Sequence, residues 1–162
     1  MLEIRPMTAG DWTAVEAIYA EGIATGHATF ETEAPSWDEF DGGRHRAHRF
    51  VADDDGRIVG WVALSPTSAR ACYRGVAEHS VYVTESARGH GVGRALMDAL
   101  VTSADAGGIW TIQTSIFPEN EASVALHERL GFRVVGRRER IAQLDGVWRH
   151  TLLLERRARA PG

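Results

Sequence analysis

The segment Arg88-Gly89-His90-Gly91-Val92-Gly93 sets three glycines at alternate positions, directly after the strand-like run Ser80-Val81-Tyr82-Val83. The residues that follow, Val92, Ala95, Leu96, Ala99 and Leu100, repeat at helical spacing. Glycine at such a turn leaves backbone N–H groups bare and lets a bulky anion come close. A helix N-terminus adds unsatisfied donors and partial positive charge. The chemistry implied is a phosphate cradle. A second constellation lies downstream. Asn120, Ser123 and His127 are three and four residues apart and share one helical face, with Gly131 as the expected stop. Pro118 and Glu119 suit a first helical turn. If this polar stripe faces inward it implies a ligand, because unpaired buried polar groups are costly; if it faces water it implies none.

Three cradles compete. A P-loop ends in Gly-Lys-Ser/Thr, and this chain contains no lysine. That absence also removes Schiff-base chemistry through a lysine. A dinucleotide fingerprint needs G-x-G-x-x-G, but its last position falls on Arg94 or Leu96, and half the chain precedes it. The third is the pyrophosphate loop of the GNAT N-acetyltransferases, Arg/Gln-x-x-Gly-x-Gly/Ala, which Arg88-x-x-Gly91-x-Gly93 resembles. In that family a strand follows the loop, then a helix carrying Asn and an aromatic or His residue, then Gly-Phe/Tyr. Asn120-x-x-Ser123-x-x-x-His127-x-x-x-Gly131-Phe132 is similar in order and spacing.

The resemblance implies acetyl transfer from the acetyl-CoA thioester to an amine, with no metal. The amine must lose a proton, the carbonyl oxygen must be stabilised as charge develops, and the leaving thiolate gains from a proton. By resemblance, an irregular strand at Val81, Tyr82 and Val83 offers backbone groups to the pantetheine arm. Arg88, Gly89, His90, Gly91, Val92, Gly93 and Arg94 would hold the diphosphate, and Asn120 and Ser123 would touch the cofactor. Glu78, at the start of the strand, is the candidate base, directly or through water. His127 stands where many relatives carry a tyrosine acid, and it acts either as that acid or as a contact in the cofactor channel.

Further segments resemble the phosphinothricin/methionine sulfoximine (or sulfone) acetyltransferase branch: Thr29-Phe30-Glu31-Thr32-Glu33, Tyr73-Arg74, Val135-Gly136-Arg137 and Gly146-Val147-Trp148. That branch acetylates the α-amine of small amino acids. On this reading Phe30, Glu31, Tyr73 and Arg74 bind the substrate, with Arg74 forking onto an anionic group. The branch also implies a homodimer. Val76 and Ala77 depart from the Thr and polar residue usual before the glutamate, and His150 replaces a common Asp. Two other readings remain open: acetylation of a polyamine or protein N-terminus, and a non-catalytic acyl-CoA-binding module.

Bulk properties fit this picture. The 162 residues suffice for one domain, expected over 1–155 with a disordered tail at 156–162. A formal net charge of −4 gives no support for nucleic acid or an anionic membrane as partner. No apolar run is long enough to span a bilayer, and no signal peptide opens the chain. The single cysteine, Cys72, excludes a disulfide framework and suits a reducing cytoplasm. His45 and His48, among Arg44, Arg46 and Arg49, read as a solvated helix face.

The elements that must position the site follow from period and punctuation. Leu2–Arg5 reads as a strand, and Trp12, Val15, Ile18 and Tyr19 as one helix face. Ser36-Trp37-Asp38-Glu39 is a capping box. Hairpins are expected across Asp53–Gly56 and Leu144–Gly146. A strand over 78–84, a helix over 92–106, a strand over 109–116 and a helix over 119–130 complete the order. The fold class expected is α/β: a mixed, mostly antiparallel central sheet flanked by helices, in one domain.

Overall fold

Ile58 to Leu64 is an unbroken apolar run, which suits a strand covered on both faces. The computed structural model, which describes residues 1–159, places it inside the sheet, between two other strands. The elements in chain order are β1 (Leu2–Pro6), α1 (Trp12–Ala24), α2 (Trp37–Gly43), β2 (Arg49–Asp54), β3 (Arg57–Pro66), β4 (Val76–Val83), α3 (Val92–Ala106), β5 (Thr111–Ile116), α4 (Glu121–Arg129), β6 (Arg133–Leu144) and β7 (Val147–Arg157). The strands lie in the order β1-β2-β3-β4-β5-β7-β6. Every pairing is antiparallel except β4 with β5, which α3 connects. This is the expected mixed fold.

Because side chains alternate along a strand, β3 feeds two cores. Val62 and Leu64 join Leu96, Met97 and Leu100 of α3 on one face. Trp61 and Ala63 join Val15, Ile18 and Tyr19 of α1 and Phe40 of α2 on the other. Half of the capping box expected at α2 forms: Ser36 Oγ accepts from the Glu39 N–H at 3.2 Å, while the Glu39 carboxylate takes the Ser36 hydroxyl at 3.0 Å rather than the Ser36 N–H. Several boundaries differ from expectation. β4 begins at Val76, α4 begins at Glu121, and β7 continues through Arg156 and Arg157, where a tail is expected. Strand pairing explains the last point, since Arg157 and Arg156 face Thr111 and Ile112 of β5. The end of the predicted disordered tail, 160–162, lies outside the described residues. No described helix is long and apolar enough to cross a membrane.

The start of α1 is fixed by charge. Asp11, buried at 8% exposure, accepts from both Arg5 Nη1 (3.0 Å) and Nη2 (2.8 Å) and from the Thr8 N–H (2.8 Å). Arg5 Nε also donates to Asp53, tying β1, β2 and α1 together. The Arg5 guanidinium holds the Asp11 carboxyl below its usual range. Arg5→Met should therefore lower unfolding free energy in a urea titration by about 2–3 kcal/mol, because it leaves a buried carboxylate without its cation.

Candidate active site

β4 pairs with β5 over only three residues, Val76–Glu78 against Thr111–Gln113. Beyond Glu78 the two strands part. Against β3, by contrast, β4 is regular through Val83, so the irregularity expected of this strand is a split from β5 rather than a bulge. The split leaves the β5-facing backbone of Ser80–Val83 without a strand partner. A cleft of about 390 Å³ enters the sheet there, lined by Glu78, His79, Val81 and Tyr82 on one side and by Thr114 and Phe117 on the other.

The glycine turn stands at one end of this split. Gly89 and Gly91 both have φ of +80°, which glycine adopts without strain, and Gly91 is the N-cap of α3. No side chain caps the helix, so the first-turn N–H groups of Val92, Gly93 and Arg94 keep their donors open. Gly93 lets this first turn lie close to α4 and β4, since a Cβ there would stand 3.4 Å from Leu126 and 3.7 Å from Val83. Arg88 donates to the Val83 carbonyl at 3.2 Å, and Arg94 pairs with Asp98. His90 is exposed. Bare amides, left-handed glycines and the helix dipole together fit a diphosphate.

Glu78 and His79, adjacent in β4, point to opposite faces. Glu78 shares its face with Tyr82, whose ring stacks between Tyr19 (5.0 Å) and Trp61 (4.9 Å). The Glu78 side chain is exposed at the cleft mouth, yet the protein around the cleft withdraws part of its water. That loss of water raises its pKa, against the downward pull of Arg138 and Arg44. Phe30 packs edge-on against Phe117 at 5.0 Å, and Phe30 and Glu31 both line the cleft. Their loop is held by Arg149, which donates to the Gly26 carbonyl at 2.9 Å and lies 4.1 Å over Phe117. Nothing in the spacing of the sequence singles out Arg149.

On the other face His79 meets His127, Nε2 to Nε2, at 2.8 Å. His127 Nδ1 donates to the Ser123 carbonyl at 2.6 Å. A carbonyl only accepts, so Nδ1 carries the hydrogen; the neutral ring then takes a hydrogen from His79 at Nε2. Neither nitrogen of His127 is left for a departing thiolate. With both nitrogens engaged and its ring lining the cleft, His127 fits the second of the two expectations, a contact in the cofactor channel, better than the first. Burial holds both imidazoles below the usual histidine range, His79 well below it. Below about pH 6.5 the unfolded chain then binds more protons than the folded one. Stability is full above that value and is lost as pH falls toward the depressed folded values. Thermal melts between about pH 7 and pH 5 should show this loss, and His79→Phe with His127→Phe should flatten it.

Several other expectations change. Asn120 is the N-cap of α4, its Oδ1 accepting from the Ser123 N–H at 3.3 Å, so the helix starts after it and not at Glu119. Asn120 and Ser123 still line the cleft. Tyr73 and Arg74 do not: both are exposed on the loop before β4, with the Arg74 guanidinium 5.4 Å over Trp110. The arginine in the cleft wall is Arg44, just past α2. The segment expected as a solvated helix face is instead a turn that buries His48 and leads into Arg49, buried as the first residue of β2. His150 sits outside the cleft lining and accepts from the Arg140 N–H at 2.9 Å, where β6 bulges.

Comparison with known proteins agrees with this geometry. Residues 12–132 match the Acetyltransferase (GNAT) family. The phosphinothricin N-acetyltransferase of Alcaligenes faecalis is 32% identical, covering 94% of this chain and 81% of the relative. The L-methionine sulfoximine/L-methionine sulfone acetyltransferase of Pseudomonas paraeruginosa is 30% identical, over 90% of this chain and 88% of its own. Among solved structures, a GNAT superfamily phosphinothricin acetyltransferase from Sinorhizobium meliloti in complex with acetyl-CoA superposes with a TM-score of 0.86. It is 30% identical over 97% of this chain and 88% of that one. With the split sheet, the uncapped helix entrance and these relatives in agreement, the chain belongs to the GNAT acetyltransferase family.

Proposed function

We propose that this acetyltransferase uses acetyl-CoA to acetylate the α-amine of a small amino acid such as phosphinothricin, methionine sulfoximine or methionine sulfone. The observation that carries the reading is Glu78, a carboxylate with a raised pKa at the point where β4 and β5 part, within a cleft walled by Phe30 and Tyr82. The names of the relatives support the substrate class. When bound, acetyl-CoA supplies an activated acetyl group. The chain's own residues do the rest. The amides of Val92, Gly93 and Arg94 grip the diphosphate, and the free edge of β4 aligns the arm that follows. A backbone N–H of Val81–Val83 polarises the thioester carbonyl. Glu78 takes the proton that the attacking amine must lose, its raised pKa lessens the energetic gap for that transfer, and the C–S bond breaks to release coenzyme A as a thiolate that takes its proton from solvent. Holding both reactants in one cleft replaces a two-body encounter.

A thiol-release assay with the three amino acids, a polyamine and an N-terminal peptide tests this. Turnover of at least one of the amino acids, in preference to polyamine and peptide, is the expected result. Preference for polyamine or peptide overturns the substrate class, and acetyl-CoA binding with no turnover of any amine favours the sensing module.

The same reading places the protein in the cytoplasm, supported by a lone, exposed Cys72. It also makes the protein a homodimer through the β6–β7 hairpin. Val134 and Val135 at one end of the hairpin, and Ile141, Val147 and Trp148 toward its turn, are exposed on the outermost strand and its neighbour. Light scattering at micromolar concentration should give twice the chain mass, and Val135→Asp with Trp148→Glu should give the monomer.

A further inference from the structure

Arg44 is the arginine in the cleft wall, and its surroundings do not account for its charge. The neighbouring arginines each have a carboxylate: Arg46 and Arg49 both pair with Asp41, at 3.2 Å and 2.6 Å, although Arg49 Nε and Nη1 are buried without partners. Arg44 forms no carboxylate pair among the described residues. It is half-buried, with its Nε shut off from water and lacking a hydrogen-bond partner. Its guanidinium lies 5.0 Å over the Phe40 ring, which fixes the side chain beside the cleft. An N–H shut off from water without a partner is costly unless something charged or polar completes it, and the Nε–H of Arg44 is such a donor. The guanidinium acts electrostatically on Glu78, Tyr19 and Tyr82, so it belongs to the same chamber as the base.

An α-amino acid carries an ammonium and a carboxylate on one carbon. The cleft offers the complement, carboxylates at Glu78 and Glu31 and a guanidinium at Arg44. We infer that Arg44 is the subsite for the α-carboxylate of the acceptor, gripping it in a fork while the amine lies toward Glu78. This rests on the amino-acid reading above and adds the residue that enforces it. Arg44 takes the role that the sequence suggested for Arg74, whose guanidinium lies outside. Arg138, the other cation acting on Glu78, is exposed on β6 and outside the cleft lining.

The test compares methionine sulfone with its carboxamide, which keeps the shape and the amine but removes the anionic charge. Wild-type enzyme should prefer the acid in kcat/KM by about 10–100-fold, the range for hydrogen bonds to a charged group. Arg44→Gln should raise KM for the acid by the same factor, leave kcat/KM for the carboxamide near wild type and erase the preference. Arg44→Lys should restore part of it, and Arg138→Gln and Arg74→Gln should keep it whole. Equal losses on acid and carboxamide in Arg44→Gln would show a structural role and overturn the inference, as would a preference that survives. If wild type turns over the acid but Arg44→Gln behaves like it, only this assignment fails. If wild type turns over no amino acid, the substrate class fails, and this assignment fails with it.

Discussion

Glu78→Gln is expected to lower kcat/KM for the amine by about 10²–10⁴-fold, the usual worth of a positioned general base. Acetyl-CoA affinity should not change, because the diphosphate is held at the far end of the split, by α3. Glutamine keeps the size of the side chain and its place beside the cleft but cannot take a proton. The pH profile separates this role from a purely steric one. Desolvation raises the Glu78 pKa, and Arg138 and Arg44 only partly offset it. The base works when ionised, so wild-type kcat/KM should fall as pH drops through a value above the ordinary carboxylate one. Glu78→Gln should lose that limb and gain rate steadily toward alkaline pH, as solvent deprotonates more of the amine. A variant that kept the acid limb and changed only KM would instead mark Glu78 as a binding group.

What the sequence disclosed about this site was local. The limits of α3, Val92–Ala106, match those read from glycine spacing and helical period, because a left-handed turn and a 3.6-residue repeat are properties of a few neighbouring residues. The interior strand β3 was equally legible, since seven apolar residues in a row admit few other fates. Arg44 was not. A run of Arg and His reads the same whether it faces water or a cleft, and what turns Arg44 inward is packing against Phe40 and the far-off chamber of β4. The state of His127 depended on His79, 48 residues away, and a helical stripe cannot reveal that partner. The Tyr73-Arg74 assignment rested on likeness alone, and the loop carries both outside the cleft wall.

Gly91→Val should weaken acetyl-CoA binding by about 10–100-fold, corresponding to about 1–3 kcal/mol of backbone strain and lost contacts. Gly91 sits at φ +80°, a region that a β-branched residue strongly disfavours. The protein itself leaves room: a Cβ at Gly91 would meet no atom within 4 Å. The cost therefore does not come from a clash within the fold. The turn either stays strained, with the valine methyls standing over the helix entrance, or relaxes and swings the amides of Val92 and Gly93 off the diphosphate. Both routes act on the cofactor, so calorimetry should show the loss in acetyl-CoA affinity while the KM for the amine at saturating cofactor holds. Gly93→Ala is the contrasting case. Its Cβ would lie 3.4 Å from a Leu126 methyl at ordinary φ, so the side chain can shift and binding should change little. Unchanged cofactor affinity in Gly91→Val would mean that the amides at the start of α3 are not where the diphosphate rests. The sheet split would then have to hold acetyl-CoA by the pantetheine arm alone.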